Sequence, residues 1–405
     1  MEKIVIEGGK KLNGIIEPQG SKNAALPIIF ATVAINGISE IGNIPDIGDV
    51  RVALDIISGF GAKIERSDKR LIVDTRNLVY KTPECDAVSK IRASSYLMGS
   101  CICRFGRAEI LSFGGCNFDA RPIDLHLYAA SELGAKISGN VISAKKLRGA
   151  EIAFSKASVG ATINAILMAS SADGVTRIYG GAQEPHVLAL IDFLRSAGAD
   201  IRTSAECVTV KGASLHDGEC EVIPDMIEVG TYLFLGPLTD GCVAVDKRYA
   251  EGLESAALTL NAAGLDIKSG DYISFSGSAK RQITVETAAY PGYPTDLQPQ
   301  IAPLMAKFQG GYIKEQVWRG RFGYLEQLQK FGLRYERQES SAWIFPSELK
   351  CGKAFAPDLR GGAACIMSAL ATKGRSEIYN PDVILRGYSD LKEKLCALGA
   401  YVDFK

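Results

Sequence analysis

The chain has 405 residues, 47% of them hydrophobic and 23% charged, with 46 basic and 46 acidic side chains and no formal net charge. That length and composition suit more than one domain, two as the first expectation, each able to bury an ordinary core. Zero net charge argues against bulk binding to nucleic acid or to an anionic membrane, so any affinity for an anion has to come from a local cluster of cations.

In chain order, MEKIVIEGGKK reads as a short strand and a glycine turn, with no apolar run of signal-peptide length. KNAALPIIFATVAINGISEIGN reads as a helix rich in small residues followed by a strand. ISGFGAKI reads as a helix end, a glycine and a new strand, and RSDKRLIVDT as a turn and a second, alternating strand. The same succession returns with RASSYLMGSCICRFGRAEILSFGG and ASELGAKI, with SVGATINAILMASSADGVTRIYGG, LRSAGADI and TSAECVTVKG, and with LNAAGLDI and SGDYISFSG. It continues in LQKFGLRY and RQESSAWIFP, then DLRGGAACIMSALATKGRSEIYN and LCALGAYV. The aligned glycines are Gly61, Gly134, Gly198, Gly264, Gly332 and Gly399, at intervals of 64 to 73 residues. Each is expected to take the left-handed conformation that ends a helix before a strand. The small-residue helices permit close approach and are expected to be buried.

Six such repeats predict an α/β chain of two domains with three units each. The final YVDF lacks a following hairpin strand, and the first strand has no unit of its own, so the two are expected to pair. The expected domains are 22–224 for one lobe and 1–21 plus 225–405 for the other, with the ligand site in a cleft between them. No stretch reaches the 18 apolar residues of a membrane span, and a cytoplasmic protein is expected. Ten cysteines without a C-x-x-C pair and only three histidines show no zinc-ligand spacing, so no metal is expected.

Charged residues recur at two places in the repeat. Helix starts carry Lys22 and Asn23, Arg92, Ser158 to Gly160, Asp296, and Asp358 with Arg360. Loops after strands carry Cys116 and Arg121, Arg321, and Arg386. Helix N-termini and arginines both favour phosphate and carboxylate, so the recurrence points to a ligand with several anionic groups. Asp296 and Asp358 can each accept a proton from a substrate hydroxyl, and each also reads as a helix N-cap. In FGGCNFDARPIDLH the glycines free a loop, and Arg121 lowers the pKa of the Cys116 thiol, which suits a nucleophile or proton donor. His126 is expected to be structural more often than a ligand.

The stretches GSKNAALPI, IRASSYLMG, GGCNFDARPIDLHL, KASVGATINA, GYPTDLQPQ, GRFGYLEQL, PDLRGGAA and LRGY occur in that order along the whole chain. In them it resembles the enolpyruvyl transferases that act on UDP-N-acetylglucosamine. KNAALPI and Cys116 separate it from the sister branch acting on shikimate 3-phosphate. The resemblance implies a two-lobed inverse α/β barrel of six βαβαββ-like units. It implies transfer of the enolpyruvyl group of phosphoenolpyruvate to the sugar 3-hydroxyl by addition and elimination through a tetrahedral ketal, opening peptidoglycan synthesis without a cofactor. Cys116 would be the proton donor and the site of a covalent adduct, and the target of fosfomycin. Lys22, Arg121 and Arg386 would hold phosphoenolpyruvate, supported by Arg321 and Arg360. Asp296 would take the hydroxyl proton, with Asp358 nearby. Asn23 and Arg92 would contact the sugar nucleotide. Arg121, Pro122, Ile123, Asp124 and Leu125 would hold the uridine, Lys156, Ser158, Val159 and Gly160 the diphosphate, and Val317 the sugar. The chain departs from the family pattern at Gln183, Met226 and Arg319. A transferase using another acceptor and a non-catalytic sugar-nucleotide sensor are the competing readings.

Overall fold

The computed structural model describes every residue except Met1, Leu111, Ser112 and residues 115–121, and leaves the Cys85 side chain undescribed. Cys116 and Arg121 therefore lie outside the described residues. The described chain divides into two compact units, one running through Gln19 and then Pro224–Lys405, the other spanning the described part of 20–223.

Each unit holds three sheets and three central helices. In the 20–223 unit the central helices are Lys22–Ala31, Leu97–Phe105 and Val159–Ala169. In the other they are Met226–Leu238, Gln298–Lys307 and Leu359–Ala371. These helices are apolar or small-sided almost all round; from Met226 to Leu238 every residue after the first is buried. A helix with no polar stripe has nothing to show to water, so it belongs inside. The strands instead alternate buried and exposed positions, as in Val175–Tyr179, and so present one face to solvent. Helices inside and sheets outside give each unit the inverse α/β arrangement that the resemblance implies, around its own hydrophobic core.

The six repeat glycines have φ between +87° and +100°, where a side chain is strained and glycine is not. Past each comes the expected strand. Lys63–Ser67 pairs with Arg70–Asp74, Lys136–Ser138 with Val141–Ser143, and Asp200–Thr203 with Cys207–Lys211. Asp266–Ser269 pairs with Tyr272–Ser276 and Arg334–Arg337 with Ser341–Phe345. The sixth strand, Tyr401–Phe404, pairs antiparallel with Lys3–Gly8 at the register Ile4 to Phe404, as expected of a repeat completed by the start of the chain.

The helix starts follow one scheme in both units. The first and third central helices are capped by a side-chain oxygen. Ser21 accepts from Ala24 N and Ser158 from Ala161 N; Asp225 accepts from Ile227 N and Glu228 N, and Asp358 from Arg360 N and Gly361 N. The second has no such cap and is entered through a 3₁₀ turn, Arg92–Tyr96 in one unit and Thr295–Leu297 in the other. The cap reading thus holds for Asp358 and fails for Asp296, which sits inside the 3₁₀ turn. Its carboxylate meets two arginines instead.

Candidate functional site

Asp296 meets two arginines in the Pro224–Lys405 unit. Arg321 Nη1 donates to Oδ1 at 2.8 Å and to Thr295 Oγ1 at 3.0 Å. Arg360 Nη2 and Nε donate to Oδ2 at 3.1 and 3.3 Å. The two guanidinium side chains are 6% and 3% exposed and the carboxylate 28%, so the cations are sunk and the anion faces outward. Burial disfavours the Arg360 charge, but Asp296, Tyr388 and Asp225 together outweigh it and hold the guanidinium protonated. Asp358 reaches the same place from the backbone side, because it caps the helix on which Arg360 is the second residue.

A buried carboxylate absent from the sequence reading sets this turn. Glu315 is fully buried and accepts from Thr287 Oγ1 at 2.6 Å, Thr295 Oγ1 at 3.0 Å, and the N–H groups of Val317 and Trp318 at 2.9 Å each. Four donors satisfy its charge, and they tie the Asp296 turn to the segment leading into Arg321. Beyond Arg360, Tyr388 Oη lies 3.4 Å from Nη1 and 3.0 Å from Thr231 Oγ1. Arg386 lies two residues before Tyr388. It was expected in a loop after a strand, yet a short helix, Pro381–Leu385, intervenes, and Arg386 ends that helix half-buried.

In the 20–223 unit, Lys22 is the first residue of its helix, and its Nζ lies 2.8 Å from Oδ2 of Asp49, whose side chain is 4% exposed. Asp49 occupies the first turn of Gly48–Gly59. By sequence it is indistinguishable from an acid there to complement the helix dipole. Asn23 and Arg92 are half-buried, Arg92 opening its 3₁₀ turn. Ser158 caps Val159–Ala169 and leaves the first-turn N–H groups of Val159 and Gly160 at its end. Gly160 lies against an imidazole: a Cβ there would come within 2.7 Å of His126 Nε2. His126 is 6% exposed, and its Nδ1 has no hydrogen-bond partner among the described residues. Burial, with the nearby Arg92 charge, pushes its pKa down to about 4, so it stays neutral. Pro122, Asp124 and Lys156 are exposed and Ile123 and Leu125 half-buried, with Asp124 starting the helix Asp124–Glu132. Val317 is 37% exposed.

The structure thus brings together Asp296, Arg321 and Arg360, with Asp358 beside them, and separately His126 with Gly160. It adds Asp49, Glu315 and Tyr388, for which the sequence offers no motif. Of the departures from the family pattern, Gln183 Nε2 donates to Ala205 O at 2.6 Å, and Arg319 is exposed.

The family model for EPSP synthase (3-phosphoshikimate 1-carboxyvinyltransferase) matches residues 6–395. The UDP-N-acetylglucosamine 1-carboxyvinyltransferase of Wolinella succinogenes is 36% identical over 417 residues, spanning 100% of this chain and 99% of the relative. That of Halothermothrix orenii is 38% identical over 410 residues, spanning 99% of each. Among solved structures, the enolpyruvyl transferase NikO from Streptomyces tendae superposes with a TM-score of 0.88 at 26% identity, covering 100% of this chain and 99% of that one. An EPSP synthase from Acinetobacter baumannii gives 0.72 at 15% identity, covering 100% and 99%, a likeness of fold alone.

Proposed function

The chain belongs to the EPSP synthase family of enolpyruvyl transferases, and from that premise we propose that it transfers the enolpyruvyl group of phosphoenolpyruvate to the 3-hydroxyl of UDP-N-acetylglucosamine, releasing phosphate. This is the first committed step of peptidoglycan synthesis. The observation that carries the acceptor is identity of 36 to 38% along the entire chain to transferases named for that sugar nucleotide. No helix among the described residues is long and apolar enough to cross a membrane, in keeping with an enzyme that works on soluble substrates in the cytoplasm.

The residue roles are part of the same proposal. Asp296, ionised between Arg321 and Arg360, takes the proton of the attacking hydroxyl, while the guanidiniums keep the carboxylate aimed and are available to charge that develops on the substrate. Asp358 shapes the same helix start and assists proton handling. Lys22, Arg121 and Arg386 hold the phosphate and carboxylate of phosphoenolpyruvate. The diphosphate lies on Lys156, Ser158, Val159 and Gly160, where a helix N-terminus offers N–H groups to an anion. Arg121 to Leu125 take the uridine, Asn23 and Arg92 contact the sugar nucleotide, and Val317 lines the sugar. Cys116 protonates the methylene carbon of phosphoenolpyruvate and is the atom that fosfomycin alkylates. The tetrahedral ketal then collapses with loss of phosphate from one carbon and of a proton from the newly formed methyl group, which restores the double bond.

The test is phosphate release from phosphoenolpyruvate with UDP-N-acetylglucosamine, comparing wild type with Cys116→Ala. Turnover in the wild type that falls at least tenfold in the variant and is abolished by fosfomycin supports the reaction and the thiol's role. Release only with another acceptor removes the acceptor assignment. Ligand-induced stabilisation without any release makes the protein a sensor.

A further inference from the structure

We infer that Gln19 is a positioning residue for Arg386, holding the turn on which that arginine stands; the inference rests on Arg386 being a ligand of phosphoenolpyruvate. Arg386 ends the helix Pro381–Leu385, and the next helix, Leu391–Ala397, starts only five residues on. The segment between is irregular yet buried at Gly387, Tyr388 and Ser389. Buried backbone groups outside a helix or sheet need partners from elsewhere. One side chain, 368 to 370 residues away in sequence, supplies them. Gln19 Nε2 donates to Gly387 O at 2.8 Å, and Gln19 Oε1 accepts from Ser389 N at 2.6 Å and from Ser389 Oγ at 2.7 Å.

Only a carboxamide does this, since it offers a donor and an acceptor on one planar group. A carboxylate would set an acceptor against the Gly387 carbonyl, and an aliphatic side chain would leave all three groups bare. The amide is itself fixed. Gln19 is 4% exposed, its N–H donates to Glu228 Oε2 at 2.7 Å, and its C=O accepts from Asp225 N at 2.9 Å. Glu228 Oε1 takes Lys394 Nζ at 2.7 Å, and Lys394 stands on the helix that leaves the turn. The contacts therefore close a ring from Gln19 through the turn and that helix to Glu228 and back to Gln19. Between the two bonded positions of the turn lies Tyr388, whose hydroxyl meets Arg360. One turn thus carries Arg386 on one side and borders the Asp296 clamp on the other.

The test compares wild type, Gln19→Leu and Gln19→Glu in steady-state kinetics with both substrates varied, after thermal unfolding has shown each variant folded. The expected result is a KM for phosphoenolpyruvate raised roughly five- to tenfold, about the net contribution of one neutral hydrogen bond, since only part of the loss of three reaches Arg386, with the KM for UDP-N-acetylglucosamine changed less than twofold. Ser389→Ala, which keeps the backbone bonds and loses only the hydroxyl, should keep a KM close to the wild-type value. The same Gln19→Leu change is then made in an Arg386→Lys background. If Gln19 acts through Arg386, its penalty on kcat/KM for phosphoenolpyruvate shrinks there to less than twofold. Equal effects on both KM values, or full additivity with Arg386→Lys, overturn the inference while leaving the reaction standing. A wild type with no phosphate release at all overturns the reading of Arg386, and the inference with it.

Discussion

Arg360 lays two nitrogens on a single oxygen of Asp296, Nη2 at 3.1 Å and Nε at 3.3 Å from Oδ2, and leaves the other oxygen to Arg321. A carboxylate so held is ionised and fixed in direction, which a base acting on a neutral hydroxyl needs. Asp296→Asn keeps the shape and removes the charge between two sunken guanidiniums. The expected outcome is a fall in kcat of about 10² to 10⁴, measured in single-turnover experiments. A second expected outcome is lowered stability, by about 3 kcal/mol as for one broken partner of a buried pair, measured by urea unfolding. A kcat within tenfold of wild type would remove Asp296 from the chemistry and leave it a structural counter-ion.

The two units should answer pH in opposite senses. Glu228 is fully buried; burial raises its pKa from 4.5 to about 7 although Lys394 pulls the other way. The folded form then binds a proton that the unfolded form releases, so stability is present below pH 4.5 and is lost as pH rises towards 7. His126 is depressed from 6.5 to about 4, so its contribution is present above pH 6.5 and is lost as pH falls towards 4. Each shift amounts to a few kcal/mol at most, at about 1.4 kcal/mol per pKa unit. Glu228→Gln should flatten the loss on the approach to neutrality, and His126→Gln the loss on the acid side. Unfolding midpoints of both variants between pH 4 and pH 8 check this, and slopes unchanged from wild type would mean neither group titrates across that window.

The repeat was legible because its cause is local. A helix that must end and a strand that must begin need a left-handed residue, and glycine at Gly61, Gly134, Gly198, Gly264, Gly332 and Gly399 answers that need wherever it occurs. The charged residues at helix starts were legible for a similar reason. Their partnerships were not. Asp296 finds Arg321 at a separation of 25 residues and Arg360 at 64, and Gln19 finds Gly387 at 368. No spacing rule reaches that far. Asp49 was hidden by looking ordinary, an acid in a first helical turn, until burial beside Lys22 gave it another role. Asp296 misled in the opposite way. TDL before an apolar run reads as a cap, but a 3₁₀ turn already starts the helix, and the carboxylate pairs with Arg321 and Arg360.

Gly160 offers a separation of substrates. An added methyl would press to 2.7 Å on His126 Nε2, and the imidazole, 6% exposed, has little room to retreat. Gly160→Ala should therefore disturb the first turn of Val159–Ala169, where the diphosphate is proposed to lie, and leave the Asp296 clamp alone. The expected result is a KM for UDP-N-acetylglucosamine raised roughly tenfold, about 1.4 kcal/mol, with the KM for phosphoenolpyruvate nearly unchanged. Calorimetric titration with UDP gives an independent reading. Wild-type affinity for UDP would place the diphosphate elsewhere.

Two of the repeat glycines separate backbone strain from steric obstruction. Gly399 has φ +97° and open space where a Cβ would point, so Gly399→Ala should cost only the left-handed penalty, about 1 to 2 kcal/mol. Gly332 has φ +88°, and there a Cβ would stand 2.8 Å from the backbone oxygen of Glu348. A backbone atom cannot swing aside as a side chain can, so Gly332→Ala should cost more than Gly399→Ala, by about 1 to 3 kcal/mol as in an overpacked core. Gly399→Asn should recover part of the loss, because asparagine visits this conformation more readily than alanine. Urea midpoints of the three variants decide the matter. Equal losses for Gly332→Ala and Gly399→Ala would show that the strand end near Glu348 yields, and that conformation alone selects glycine at the turn of each repeat.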